Sequence, residues 1–418
     1  MKFETISVIG LGYIGLPTAA VIASNGIRVK GVDVNQHVVD TINQGKIHIV
    51  EPGLEELVKC AVADGNLTAH IEPQAADAFL IAVPTPFKGA DHQPDLKYIE
   101  SAARALAPLL ERGNLVVLES TSPVGATEKM AAWLSEARPD LTFPQHLSEE
   151  DKIADFKPDI FVAHCPERVL PGQVIRELVD NDRIIGGMDN MSTLAATTVY
   201  KSFVHKGNCI ATKARTAEMA KLTENASRDV QIAFANELSM ICDKQGIDVW
   251  ELIELANLHP RVNILQPGAG VGGHCIAVDP WFIVNSNPEE AKIIHQARNT
   301  NDHKPVWVQE KIEAAVKHIT KPKIACLGLA FKPNIDDLRE SPALDITQNL
   351  GLKGYDILAV EPNIEALPAK FESLENVKLV DLKTAVAEAD LVAVLVKHQE
   401  FLVLNAKDLN ILDFVSAI

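Results

Sequence analysis

The sequence predicts an α/β protein: two Rossmann-like, doubly wound parallel-sheet domains joined by a helical middle domain with a long connecting helix. Three observations lead there. Apolar strand-like runs alternate with helical patterns from residue 4 to 186, and such alternation builds a parallel sheet covered by helices. A second, shorter alternation begins at 323. Between the two, Ala214 to Gln245 contains neither proline nor glycine and repeats its apolar residues at helical spacing.

The first strand is predicted over 4–10, a helix over 15–25 and a second strand over 27–34 that ends at Asp33. Further strands are expected at 78–83, 115–119, 160–164 and 183–186, with helices at 35–44, 53–64, 96–111 and 125–137. The stretch 141–160 holds Pro144, Pro158 and the run Ser148-Glu149-Glu150-Asp151, a loop composition. In the long segment Met219, Leu222, Ala226, Val230, Ala233, Phe234, Leu238 and Ile241 fall at helical spacing, and Gly246 is the natural stop. Helical segments follow at 248–257 and 287–301. The second unit is read as strands at 323–331, 355–360 and 390–396 with helices at 342–352 and 381–388. Joints near 200–213 and 303–321 give domains 1–205, 206–305 and 306–418.

A net charge of −17 argues against nucleic acid and anionic membrane surfaces as general partners. Met1 to Thr5 leads straight into an apolar strand without a signal-peptide pattern, and no apolar run reaches the roughly 20 residues that span a bilayer. The six cysteines are scattered and form no CxxC pair, so neither a metal site nor a secreted disulfide frame is expected, and a reducing cytoplasm is the simplest setting. With an acidic chain, any anionic ligand must meet local positive charge.

Gly10-Leu11-Gly12-Tyr13-Ile14-Gly15 follows a strand and opens a helix. Gly10 allows the tight turn, Gly12 lets the backbone approach a pyrophosphate and Gly15 allows close helix–strand packing. The helix N-terminus adds unpaired N–H groups and the positive end of its dipole. Asp33 lies 18 residues beyond Gly15 at the end of the next strand. A carboxylate there accepts from ribose hydroxyls and repels a 2′-phosphate, so the cofactor expected is NAD rather than NADP. Thr85 and Thr121 lie just beyond later strand ends, and Thr127 opens the helix that follows. Each reads equally as a helix cap or as a ligand contact.

Residues 266–280 read Gln-Pro-Gly-Ala-Gly-Val-Gly-Gly-His-Cys-Ile-Ala-Val-Asp-Pro. Glycines at this density let backbone N–H groups approach an anion or oxyanion, and they leave Cys275 open to activation. The plainer reading is a buried cysteine in a connector; the adjacent dinucleotide signature favours a nucleophile. On the long helix Lys221, Asn225 and Arg228 share one face. They form either a solvated stripe or the local cationic surface that an anionic ligand needs. Cys165-Pro166-Glu167-Arg168 ends another strand and offers a carboxylate and a further cation.

Six motifs in this order resemble the UDP-glucose/GDP-mannose dehydrogenase family over nearly the whole chain. They are Val8 to Pro17, Ser120 to Gly125, Cys165 to Arg168, Lys221 to Asn225, Gly272 to Cys275, and Gly328 to Lys332 with Arg339 to Pro342. Gly272-Gly273-His274-Cys275 with Val278-Asp279-Pro280 resembles the N-acetylhexosamine branch, and His259 to Asn263 is most similar to members acting on UDP-N-acetyl-D-mannosamine. The resemblance implies a UDP-N-acetylhexosamine substrate, four-electron oxidation at C6 with two NAD, and a homodimer. It also implies a place in surface polysaccharide synthesis of the enterobacterial common antigen type. Carried over by position, Cys275 is the nucleophile, Lys221 and Asn225 stabilise alkoxide and oxyanion, and Glu167 and Asp279 handle water and protons. Thr121 would hold a catalytic water. Arg168, Val169, Arg228, His259, Arg261, Gly272, Phe331 and Lys332, with Lys221 and Asn225, would line the nucleotide-sugar pocket, Arg261 from across a dimer interface. Gly10, Gly12, Tyr13, Ile14, Gly15, Asp33, Thr85, Thr127 and Arg339 would touch NAD.

Past Asp413 the sequence Phe414-Val415-Ser416-Ala417-Ile418 lacks the basic residue and glycine usual in this branch, which implies a lost substrate contact or an altered terminus. Three rival readings stay open: a dehydrogenase of UDP-N-acetylglucosamine or UDP-glucose, a catalytically silent nucleotide-sugar binder, and a two-electron hydroxyacid dehydrogenase with no use for Cys275.

Overall fold

In the computed structural model, which describes residues 1–89, 91–148, 157–170, 172–405 and 409–418, the chain divides into two units, Met1–Thr223 and Glu224–Ile418. The first unit is built on β1 (Thr5–Ile9), α1 (Gly15–Ser24), β2 (Arg28–Val32), α2 (Gln36–Asn43), α3 (Leu54–Ala63), β3 (Leu67–His70) and β4 (Ala78–Ile81). A two-stranded ribbon, β5 (Phe87–Lys88) with β6 (Gln93–Pro94), precedes α4 (Lys97–Leu106), β7 (Leu115–Leu118) and α5 (Ala126–Ala137). Next come β8 (Phe161–His164), α6 (Val174–Asp180), β9 (Arg183–Gly187), α7 (Asn190–Tyr200) and β10 (Cys209–Lys213). The eight-stranded sheet runs β10-β9-β8-β7-β4-β1-β2-β3.

Its central strands are buried on both faces, as their unbroken apolar sequences require: every residue of Ala78–Ile81 and Leu115–Leu118 is fully buried. Leu16, Ala19, Ala20 and Ile22 of α1 pack on one face, and Ile99, Ala103, Met130 and Leu134 of α4 and α5 on the other. One pairing departs from the parallel sheet expected. β9 joins β8 antiparallel, through Ala163–Gly187 and His164–Gly186, and β10 then runs parallel to β9. On the β10 side Gly186 admits no side chain, since a Cβ there would stand 2.6 Å from the Lys213 carbonyl oxygen. Helix α4 ends at Leu106 rather than 111, where Ala107–Leu109 tightens into a 3₁₀ turn containing Pro108. Of the loop read at 141–160, Pro144–His146 forms another 3₁₀ turn and 149–156 lie outside the described residues.

Ala214–Gln245 is one continuous helix, α8, within which the division between the units falls. The second unit continues with α9 (Val249–Asn257), α10 (Asp279–Ser286), α11 (Lys292–Val316), β11 (Lys323–Leu327), α12 (Pro342–Leu352), β12 (Asp356–Val360), β13 (Val377–Leu379), α13 (Leu382–Glu388), β14 (Leu391–Val394) and β15 (Ile411–Asp413). Its sheet is parallel throughout, in the order β13-β12-β11-β14-β15. The helix expected at 287–301 is instead Lys292–Val316 and crosses the joint anticipated at 303–321. Pro305 does not end it. Its ring packs against Gly270, and the buried stripe Val308, Ile312 and Val316 continues onto the second sheet's core.

Helices α8 and α11 meet through a buried polar layer. Arg298 donates to Asp229 (2.6 Å), Asn301 donates to Asp229 (2.7 Å) and Asn236 donates to Asn301 (2.9 Å). Lys304, only 2% exposed, donates to Ser239 and stands 4.0 Å over the Trp307 ring. Burial pushes its ammonium down to about 7 from an ordinary 10.5. Between those values the unfolded chain binds a proton that the folded chain does not, so this site adds stability as pH rises from about 7 towards 10.5. Lys304→Met removes the titration. The stability of that variant relative to wild type, read as a difference in Tm, is expected to fall steadily from pH 7 to about pH 10; a difference independent of pH would contradict it.

Candidate active site

Gly10 sits at φ +92°, and a Cβ there would lie 2.6 Å from the Ala82 carbonyl oxygen. At Gly15 a Cβ would lie 1.7 Å from the Gly10 carbonyl oxygen, so the turn closes only without side chains. Gly12 faces open space instead, leaving its backbone approachable. Tyr13 is exposed and Ile14 precedes the first residue of α1. Asp33 is partly buried and accepts from Leu11 N–H (3.0 Å) and Asn35 N–H (2.9 Å), which pins the carboxylate beside the turn. The buried Thr85 hydroxyl has no partner among the described residues. An open glycine turn, a pinned carboxylate and an unpaired hydroxyl at adjacent strand ends fit a dinucleotide.

Thr121 is half-buried beyond β7. Thr127 is fully buried, and its N–H (2.8 Å) and hydroxyl (2.7 Å) both donate to Glu218, as does Gly125 N–H (2.7 Å). Glu218, which the sequence reading missed, thus satisfies the first turn of α5 from α8. Its position on the Ala214–Ala217 face, buried among small apolar residues, was the available signal.

Glu167 is buried after β8. Its carboxylate accepts from Arg168 N–H (2.6 Å) and from the Arg183 guanidinium (2.5 Å), itself 1% exposed. Beside them Tyr200 donates to Glu119 (2.5 Å). Burial pushes the Glu119 carboxyl up to about 7 despite that hydrogen bond, and burial likewise raises the Cys165 thiol. Glu119, Arg183 and Tyr200 carry no motif; they become legible only as ionisable groups inside otherwise apolar strands and helices. Arg168 and Val169 are half-buried, with Arg168 reaching the Asp182 carbonyl (3.1 Å). Lys221 is half-buried on α8.

In the second unit Cys275 is exposed, and its carbonyl accepts from the N–H of Val278 (3.1 Å) and Asp279 (2.8 Å). The loop is thereby tied to the start of α10. Asn225 Nδ2 donates to Asp279 Oδ2 (2.5 Å), which brings two predicted residues together beside that turn. Gly268 N–H donates to Asn236 (2.9 Å) of the polar layer. A Cβ at Gly272 would stand 2.3 Å from the Glu340 carbonyl oxygen, and one at Gly273 2.9 Å from the Phe331 ring. The Cys275 loop is therefore pressed onto Phe331 and the segment 340–342. Lys332 is exposed next to Phe331, and Arg339 pairs with Asp337 through two bonds (2.8 and 2.6 Å). Arg228, His259 and Arg261 are exposed, the last two joined by Arg261 N–H to His259 Nδ1 (3.3 Å). After Asp413 the chain folds back, its carboxylate accepting from the N–H of Val415, Ala417 and Ile418.

The sequence matches three parts of the UDP-glucose/GDP-mannose dehydrogenase family: the NAD binding domain over residues 4–204, the central domain over 215–303 and the UDP binding domain over 325–413. It is 64% identical to a UDP-N-acetyl-D-mannosamine dehydrogenase of Campylobacter jejuni, over 96% of this chain and 97% of that one. It is 62% identical to an NDP-N-acetyl-D-galactosaminuronic acid dehydrogenase of Ralstonia solanacearum, over 96% and 92%. Among solved structures, a UDP-D-ManNAc dehydrogenase of Pyrococcus horikoshii superposes with a TM-score of 0.87 at 38% identity, covering 99% of this chain and 96% of that one.

The Arg183–Glu167 pair yields a test. Arg183→Met leaves a buried carboxylate without its cation and should cost on the order of 3–5 kcal/mol in urea unfolding; a loss under about 1 kcal/mol, the scale of an exposed pair, would show that Glu167 does not depend on it.

Proposed function

The chain belongs to the UDP-glucose/GDP-mannose dehydrogenase family and is an NAD-dependent oxidoreductase, and from that premise we propose that it oxidises UDP-N-acetyl-D-mannosamine at C6 to UDP-N-acetyl-D-mannosaminuronate through a covalent adduct on Cys275. The observation that carries the reading is the Cys275 loop, an exposed thiol on a glycine-rich segment that Phe331 and the start of α10 hold in place. The choice of sugar follows the 64% identical relative.

NAD, when bound, supplies the hydride acceptor for both oxidations. Gly10, Gly12, Tyr13, Ile14, Gly15, Asp33, Thr85 and Arg339 are assigned to holding it, while Thr127, wholly buried on Glu218, supports the first turn of α5 from behind. Lys221 stabilises the C6 alkoxide as the alcohol becomes an aldehyde. The Cys275 sulfur then adds to C6, giving a thiohemiacetal whose oxidation leaves a thioester. Water cleaves the carbon–sulfur bond, releasing the carboxylate and the thiol; two hydrides and three protons leave in all. Covalent capture retains the aldehyde and divides a hard oxidation into easier steps. Asn225 Nδ2 carries two hydrogens, one donated to Asp279 and one for the oxyanion. Thr121, Glu167 and Asp279 orient water and move protons. Arg168, Val169, Arg228, His259, Arg261, Gly272, Phe331 and Lys332 are assigned to the nucleotide sugar.

Phe234 and Ile241 on α8, Leu255 on α9 and Leu258 just after it expose apolar surface, which supports a homodimer. No described helix is long and apolar enough to cross a membrane. We further propose that the reaction runs in the cytoplasm and supplies a uronate donor for surface polysaccharide of the enterobacterial common antigen type. A second reading, oxidation of an N-acetyl-D-galactosamine nucleotide, is favoured by the 62% identical relative.

The deciding assay follows NADH with UDP-N-acetyl-D-mannosamine, UDP-N-acetyl-D-galactosamine, UDP-N-acetylglucosamine and UDP-glucose. Two NADH per UDP-N-acetyl-D-mannosamine are expected, with the highest kcat/KM of the panel. Equal or better turnover of another sugar overturns the substrate, and no turnover of any supports a silent binder. Cys275→Ala and Cys275→Ser should abolish the four-electron stoichiometry; its retention in the serine variant would rule out the thioester.

A further inference from the structure

The turn after β11 is wired by two buried ionisable groups that the proposed mechanism does not use. Glu361, 4% exposed at the end of β12, accepts through one oxygen from Leu329 N–H (2.8 Å) and Ala330 N–H (3.0 Å). That oxygen also lies 3.0 Å from His398 Nε2, and His398 is wholly buried. The other ring nitrogen, Nδ1, accepts from Asn334 N–H (2.9 Å). Because Nδ1 accepts, Nε2 carries the ring proton and donates to Glu361. The Asn334 side chain returns the contact by accepting from Gln399 N–H (2.9 Å). Asn334 itself sits at φ +61°, a left-handed backbone that a non-glycine residue keeps only when its surroundings hold it. Asn363 occupies the second Glu361 oxygen through its N–H (3.1 Å) and side-chain amide (3.0 Å). Burial opposes the Glu361 charge, yet the bonds from His398, Leu329 and Ala330 outweigh it and hold the carboxyl down at about 2.

Both ends of the segment 329–334 are thus held by buried hydrogen bonds, and Phe331, Lys332 and Pro333 lie between them. Phe331 is the side chain against which both glycines are pressed, Gly272 on its Cβ and Gly273 on its ring. We propose that Glu361 and His398 are positioning residues for the nucleotide-sugar site: they fix the 329–334 segment so that Lys332 is presented to the diphosphate of the substrate and Phe331 props the Cys275 loop. The proposal rests on the functional reading above, and it makes no claim that either residue touches substrate.

His398→Gln and Glu361→Gln test it. Each removes or weakens one buried bond of the clamp, worth roughly tenfold in the occupancy of the held conformation. In protein that retains its wild-type circular dichroism, the affinity for UDP alone, titrated calorimetrically, should fall about tenfold. The KM for the nucleotide sugar should rise by a similar factor while the KM for NAD stays unchanged. Unchanged UDP affinity and KM in folded variants overturn the proposal, and so does an equal rise in both KM values, which marks a general structural defect. If neither variant folds, Asn334→Ala decides, since it removes the acceptor for Gln399 N–H and loosens the left-handed turn whose N–H His398 holds; it must weaken UDP in the same selective way or the proposal fails. Should wild type oxidise no UDP sugar, the functional reading falls, while the UDP titration still decides the clamp.

Discussion

A methyl group at Gly272 or Gly273 would collide with the Glu340 carbonyl or the Phe331 ring, and much of the second unit is arranged around that closeness. The loop carrying Cys275 has little apolar surface of its own to bury. It gains a defined position because glycine lets its backbone lie directly on an aromatic ring and on the segment that opens α12. Gly270 extends the contact to Pro305 and Pro342, and Asn236 secures Gly268 from the polar layer. Close packing without side chains fixes the cysteine, and the turn onto α10 sets the direction of the chain beyond it.

The two sheets use one wiring scheme with different outcomes. In the first, Gly10 N–H donates to the Val32 carbonyl and Leu11 N–H to Asp33; in the second, Gly328 N–H donates to the Val360 carbonyl and Leu329 N–H to Glu361. Glutamate is one methylene longer, and it reaches Ala330 N–H as well. In the first unit the helix opens at Gly15, so N–H groups remain for a phosphate close to the turn. In the second, the chain detours through Phe331 and Lys332 and α12 opens only at Pro342, with Ser341 capping it. A carboxylate takes the amides that an anion would otherwise claim, so the second turn serves to shape a loop.

Much of this was legible in the residues. Strand and helix order followed from apolar period and breakers, and the absence of proline and glycine marked Ala214–Gln245 as one helix. The less legible parts have physical causes. The helix expected to end at 301 runs on through Pro305, where the cost of a missing N–H is outweighed by the apolar stripe beyond it. The antiparallel β8–β9 pairing leaves no trace in composition, because buried strands look alike in either direction. The site residues with motifs stood out, whereas their supports did not. Arg183, Tyr200, Glu218 and His398 act by being buried beside a partner distant in sequence, and local pattern does not register distant partners. Glu361 was the exception within reach, since it follows an apolar strand as Asp33 does.

The uninterrupted course of α11 has a practical corollary for dissecting the chain. A fragment cut at the apparent joint near 305 would begin inside a helix. It would keep Val308, Ile312 and Val316, which cover the second sheet, but lose Lys304 and the turn preceding them. The new end would place unpaired N–H groups and a terminal charge beside apolar core. Excision of the second sheet for separate expression is better made upstream of Lys292, where α11 begins, so that the sheet keeps its own lid.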